Sequence, residues 1–207
     1  MKIATSVVGK MANNTYLVIS DKNNAVLIDP SVDFEKINKM LEESGANLKY
    51  IMFTHGHYDH TASTFELKEK TGAKLVIGER DAEMLCDIEK SMAWLFSNHP
   101  KEVYADITVN DGDVLTLDEL EFKIIATPGH TKGSICIICE DVIFTGDTVL
   151  EGTVGRTDFY GGSEAFMLQS IKKLAQLSGD FKILAGHGPA STLLKEKTTN
   201  PYFIEYV

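Results

Sequence analysis

The chain has 207 residues, with 20 Lys+Arg against 30 Asp+Glu and a formal net charge of −10. That length suits one domain spanning residues 1–207, and a composition of 43% hydrophobic and 24% charged residues argues against intrinsic disorder. The acidic balance offers no basic patch for nucleic acid. No apolar run approaches the ~20 residues that span a bilayer, and the opening MKIATSVVGKMANNTY lacks the apolar core of a signal peptide. A cytoplasmic setting follows as the expectation, and the oligomeric state is left at monomer or small homo-oligomer.

Strands are predicted over KIATSVVG, TYLVIS and AVLIDP, with turns at Asn13-Asn14 and Asn23-Asn24. VDFEKINKMLEES has helical spacing, with Phe34, Ile37 and Leu41 on one face and Gly45 just beyond its end. LKYIMFTH reads as a strand, DHTASTFELKEKTG as a helix stopped by Gly72, KLVIG as a strand and ERDAEMLCDIEK as a third helix. SMAWLFSNHPKEVYAD is irregular and lid-like, and its Met92, Trp94, Leu95 and Phe96 are candidates for an apolar cleft wall. Short strands follow in DITV, VLTL, EFKIIAT, SICIICE and DVIFTGD, then a Gly-rich loop, TVLEGTVGRTDFYGG. The helix SEAFMLQSIKKLAQL, the strand FKILAGH and a short helix at LLKEKT complete the order. Grouped strands with helices in each half predict two sheets between helical layers.

Three cysteines are too few for a disulfide scaffold. Cys136 and Cys139 have C-x-x-C spacing but lie in an apolar, β-branched run. Residues three apart on a strand face opposite ways, whereas a redox pair needs a turn and a helix N-terminus. The pair is therefore read as core.

Five of the six histidines sit just beyond apolar strands: His55, His57 and His60 in HGHYDH, His130 in TPGH and His187 in AGHG. Asp59 lies in the first cluster, and Asp147 follows the strand DVIFTG. Any one of these histidines alone reads as a hydrogen-bonded loop or core residue. Together, five imidazoles and two carboxylates at four strand ends make a donor set suited to Zn²⁺, Fe²⁺ or Mn²⁺. Seven ligands exceed one tetrahedral ion and fill two that share a carboxylate; without a thiolate, a closed structural zinc site is disfavoured. The sixth histidine, His99 in SNHP, is read as a loop residue outside this set. Asp29, in LIDPS, is read as a turn residue.

HGHYDH is an instance of H-x-H-x-D-H. With TPGH, the Asp of TGDT and the His of AGHG, the chain resembles the metallo-β-lactamase superfamily nearly end to end. The resemblance implies an α/β, four-layer αββα sandwich. It implies two divalent ions, zinc foremost with iron or manganese as alternatives: His55, His57 and His130 on one, Asp59, His60 and His187 on the other, and Asp147 on both. True β-lactamases commonly replace that Asp by Cys or His, so β-lactamase activity is not the expectation.

GDTVLEGTVGRTDFYGGS is similar to short members of the glyoxalase II group. The implied reaction is hydrolysis of a small-molecule thioester, such as S-lactoylglutathione, by a hydroxide held between the metals. Asp59 and Asp147 would be its catalytic carboxylates. Arg156 and Phe159 or Tyr160 fall where that group contacts substrate, although Arg156 could pair with Asp158 and Tyr160 could pack the loop. The helical extension that typical members use to hold glutathione is not expected here. The rival reading is an iron-dependent persulfide dioxygenase, using His55, His130 and Asp147. A lactonase, a phosphodiesterase and a non-catalytic metal-binding module are further alternatives.

Overall fold

A computed structural model describes residues 1–96, 101–204 and 206. His99 lies outside the described residues. The first sheet holds β1 (Lys2–Val8), β2 (Asn13–Ile19), β3 (Asn24–Ile28), β4 (Asn47–Phe53), β5 (Lys74–Gly78) and β6 (Ile107–Val109), side by side in chain order. The second is built from β7 (Val114–Leu117), β8 (Leu120–Ala126), β9 (Ile135–Cys139), β10 (Val142–Gly146), β13 (Lys182–Ala185) and β14 (Ser191–Thr192). Its spatial order is β14-β13-β10-β9-β8-β7. Between β10 and β13 the chain makes a small hairpin of β11 (Val149–Leu150) and β12 (Thr153–Val154).

The strands alternate between two apolar environments, as a period of two requires. Val26 and Met52 face Phe122, Ile137 and Phe144 of the other sheet, while their neighbours Leu27, Ile51 and Phe53 face outward. That outer face packs on α1 (Phe34–Ser44), through Ile37 and Leu41, and on α3 (Thr64–Thr71), through Leu67. The outer face of the second sheet, with Ile143 and Ile183, packs on α4 (Glu164–Ala175), α5 (Leu193–Thr199) and α6 (Pro201–Ile204) through Met167, Ile171, Leu193 and Phe203. The result is the expected αββα sandwich. Among the described residues no helix is long and apolar enough to cross a membrane.

Strand direction gathers one set of ends. β3, β4 and β5 are parallel, and β2 is antiparallel to β3, so β2 begins where β3 and β4 finish. In the second sheet β8, β10 and β13 share one direction and also finish together. The two sets meet at that edge: Ile135 N donates to Thr54 O (2.8 Å), Asn14 N to Gly186 O (2.8 Å) and Tyr16 Oη to Ala185 O (2.6 Å).

Three predicted details change. The Asn13-Asn14 pair opens β2 instead of forming a turn, and Gly9–Ala12 makes the bend. Asn14 is held in the strand because its side-chain amide donates to Ala185 O (3.0 Å) and Gly188 O (2.8 Å). The helix expected over residues 59–72 is two, a short α2 (Tyr58–Thr61) and α3. The expected third helix is a 3-10 turn over Glu79–Cys86, within which Asp81 is drawn inward to the loops it binds.

Cys136 and Cys139 fall on opposite faces of β9, Cys136 towards α4 and Cys139 between the sheets. Burial pushes both thiols up to about 11. Iodoacetamide at about pH 8 is therefore expected to alkylate Cys86 in the folded protein and spare the other two until unfolding. Rapid labelling of the pair, or a disulfide joining them, seen by mass spectrometry, would contradict the core reading.

Candidate metal centre

The shared edge receives the predicted residues from four strands. β4 runs into His55 and His57, then α2 turns Asp59 and His60 inward; β8 leads to His130, β10 to Asp147 and β13 to His187. Five of the seven are buried, and Asp147 and His187 are partly exposed. One ring nitrogen from each of His55, His57 and His130 lies within 4.8 Å of the others, as do the donor atoms of Asp59, His60 and His187. Asp147 stands between the two triads. Its Oδ1 is 3.6 Å from His60 Nε2, and its Oδ2 is 3.6 Å from His130 Nε2 and 3.5 Å from His187 Nε2.

Four imidazoles are tethered at Nδ1, which directs their Nε2 atoms into the site. His130 Nδ1 donates to Arg156 O (2.7 Å), His187 Nδ1 to Met11 O (3.0 Å) and His60 Nδ1 to Asp29 Oδ2 (3.1 Å). His55 Nδ1 donates to Thr54 Oγ1 (3.1 Å), whose own proton goes to Asp29 Oδ2 (2.7 Å). His57 differs: its Nδ1 converges on His130 Nε2 at 2.9 Å. A third group, Asp29, His55 and His60, is equally close. The oxygens of Asp29 are already engaged by Thr54 N, Thr54 Oγ1 and His60, so Asp29 serves as a brace across two loops, beyond the expected turn bond.

The two triads differ electrostatically. Burial, with His130 nearby, holds the His57 imidazole at about 3, and His55 is likewise well below its ordinary value. Burial would lower His60 too, but Asp59, Asp147 and Asp29 hold it up at about 10. His187 is raised by Asp59 and Asp147 against the effect of burial. Burial would raise the Asp59 carboxyl, yet His60, His187 and Asn13 keep it well below the usual carboxylate range.

Buried His55 Nε2, His57 Nε2 and Asp147 Oδ1 have no hydrogen-bond partner among the described residues. Such atoms are costly to bury unless something binds them. Orphaned nitrogens and a carboxylate oxygen, packed with further imidazoles, fit divalent metal ions. The backbone is cut to match: a Cβ on Gly186 would lie 2.3 Å from Asp147 Oδ1 and 2.7 Å from His60 Cε1. Gly146, at φ 50°, has no room either, since its Cβ would meet Thr54 Oγ1 at 2.1 Å.

Two buried supports were not legible as site residues. Asn13 Nδ2 donates to Asp59 Oδ2 (2.8 Å) and lies 3.2 Å and 3.3 Å from Nε2 of His60 and His187. Asp81 accepts from Gly56 N (3.0 Å), Thr131 Oγ1 (2.6 Å) and Gly133 N (2.7 Å), tying the H-x-H loop to the loop of His130. In the sequence Asn13 reads as half of a turn pair and Asp81 as a polar position of a helical pattern, so neither points to the site.

Beside the site a cavity of about 350 Å³ is bounded by Met92, Leu95 and Phe96 on one side and Arg156 and Phe159 on another. Trp94 is exposed and lies outside that lining. The Arg156 guanidinium binds Asp158 through two bonds of 2.7 Å and lies 3.7 Å from the Phe159 ring centre. Tyr160 is not in the lining. Its Oη donates to Glu83 Oε1 (2.9 Å) and accepts from Lys132 Nζ (3.0 Å), which clasps the Gly-rich loop to the 3-10 turn.

The sequence profile of the metallo-beta-lactamase superfamily matches residues 8–187. The chain belongs to that superfamily. It is 35% identical to a hydroxyacylglutathione hydrolase, GloC, of Haemophilus influenzae, over 98% of both chains. Among solved structures it is similar to the B3 metallo-beta-lactamase BLEG-1, with a TM-score of 0.92 and 26% identity over 98% of this chain and 99% of the other. It is also similar to TTHA1623, solved in a di-iron-bound form, with a TM-score of 0.85 and 26% identity over 96% and 99%. With the His/Asp cluster, these relatives make the chain a metallo-hydrolase.

Replacing Asp81 with Asn puts an amide N–H₂ against donors that need an acceptor. Asp81→Asn is expected to weaken metal binding at the His55, His57 and His130 triad about 10- to 100-fold, measured by chelator competition. Unchanged affinity would show that the two loops hold their positions without this carboxylate.

Proposed function

We propose that this chain is a binuclear metallo-hydrolase of thioesters, of the short glyoxalase II type. The observation that carries the reading is the placement of Asp147 between two complete donor triads. The GloC relative supports the choice of reaction. His55, His57 and His130 would hold one divalent ion, Asp59, His60 and His187 a second, and Asp147 both; zinc is the first expectation, and the di-iron neighbour keeps iron in view. Bound there, such ions supply Lewis acidity and make water acidic enough to be a nucleophile near neutral pH.

The chain's own groups do the rest. Asp59, fixed by Asn13 Nδ2, orients the attacking water by accepting its hydrogen bond. The Nδ1 tethers keep the imidazoles from rotating, so the site is organised before substrate arrives. Arg156 and Phe159 stand on the cleft wall within reach of substrate. Tyr160 acts at a distance, bracing the loop that carries them. Residues 1–207 act as one domain, and three unpaired thiols suit a cytoplasmic setting.

Zinc-loaded protein is expected to hydrolyse S-lactoylglutathione or another small thioester, to lose activity on chelation and to regain it with added metal. Two results would replace this reading: oxygen uptake on glutathione persulfide by an iron-loaded form, or β-lactam opening with thioesters left intact.

A further inference from the structure

Resting on the thioester reading, the walls of the cleft point to a more specific substrate. Three separate elements deliver large apolar side chains to the cavity: Met11 from the bend before β2, Met92, Leu95 and Phe96 from the segment after the 3-10 turn, and Leu150 from the β11–β12 hairpin. Met11 is 54% exposed and Leu95 53% exposed. Large apolar side chains left in water around a concave site are a binding feature more often than an accident of folding. Met92 holds a left-handed φ of 63°. That conformation is strained for a long side chain, and such strain concentrates where a side chain must be aimed.

The charge of the cleft agrees. Arg156 is the one Lys or Arg among its described lining residues, and both arms of its guanidinium fork are taken by Asp158. Nearby Lys90 is likewise taken up by Glu83 and Asp87. Among the described lining residues, a carrier bearing several carboxylates would find one cation, already paired with Asp158. Met11, Leu95 and Phe96 also line a neighbouring cavity of about 990 Å³, whose lining adds Val32 and Phe34 together with Lys10, Asp33, Glu35 and Glu66.

We infer that the cleft selects thioesters with a straight apolar chain, laid from the metal site over Met11, Leu95 and Phe96. Burying one methylene in such a cleft changes binding by about two- to fourfold. The chain belongs to the acyl group or to the thiol, and two series separate these. One lengthens the acyl group of N-acetylcysteamine thioesters from acetyl to hexanoyl; the other lengthens the alkyl group of acetyl alkanethiol esters. One series is expected to gain about 20- to 200-fold in kcat/KM across its length. The series that gains identifies the side.

A readout independent of turnover accompanies this. Straight-chain carboxylates from acetate to octanoate, titrated by calorimetry into metal-loaded protein, are expected to bind about two- to fourfold tighter per methylene until the cleft is filled. Leu95→Asp is expected to flatten that dependence, and Trp94→Asp, one residue outside the lining, to keep it. Flat carboxylate affinity together with length-independent hydrolysis would overturn the inference and leave the thioester reading standing. A rising carboxylate series with no thioester cleaved would keep the straight-chain apolar site and remove the thioester reading.

Discussion

Five imidazoles and two carboxylates are packed where two sheets end, and three of their buried donor atoms are left for a cation to satisfy. Isolated buried polar atoms cost several kcal/mol each in the absence of a partner, and here His55 Nε2, His57 Nε2 and Asp147 Oδ1 lack one among the described residues. Imidazoles this close also disfavour one another's protonation: His55 and His57 are pushed down by burial and by their neighbours. Protons cannot relieve that side of the cluster, so a divalent ion is the natural counter-charge.

Much of the surrounding structure can be read as service to that cluster. Strand direction brings β2, β4, β8, β10 and β13 to one edge. Asp29 and Asp81 lie one layer out, each binding donors from two chain segments. Gly186 leaves the space into which Asp147 and His60 pack. The net charge of −10 and a cationic centre are compatible, because a bound ion outweighs distant surface charge at short range.

The layered fold and the seven donors were legible because their signals are local. Strand periodicity and a histidine or aspartate just beyond the last apolar residue need no knowledge of partners. What escaped depends on contacts distant in sequence. Asn13 looks like half of a turn pair until its partner Asp59 and the crossing to Gly186 are known. Residues 79–90 carry a helical pattern, but the inward pull on Asp81 from Gly56, Thr131 and Gly133 favours a 3-10 turn. Tyr160 and Arg156 sit one short loop apart in roles that sequence could not separate: one clasps the outer surface and the other lines the cleft.

The central claim is that two triads share Asp147 and hold two ions. Elemental analysis after equilibrium dialysis tests it most directly, on the unaltered protein and on His57→Ala and His187→Ala. Two ions per chain are expected for the former and about one for each variant, with His57→Ala emptying the first triad and His187→Ala the second. A single ion in the unaltered protein, lost on changing His57 and indifferent to His187, would contradict the account.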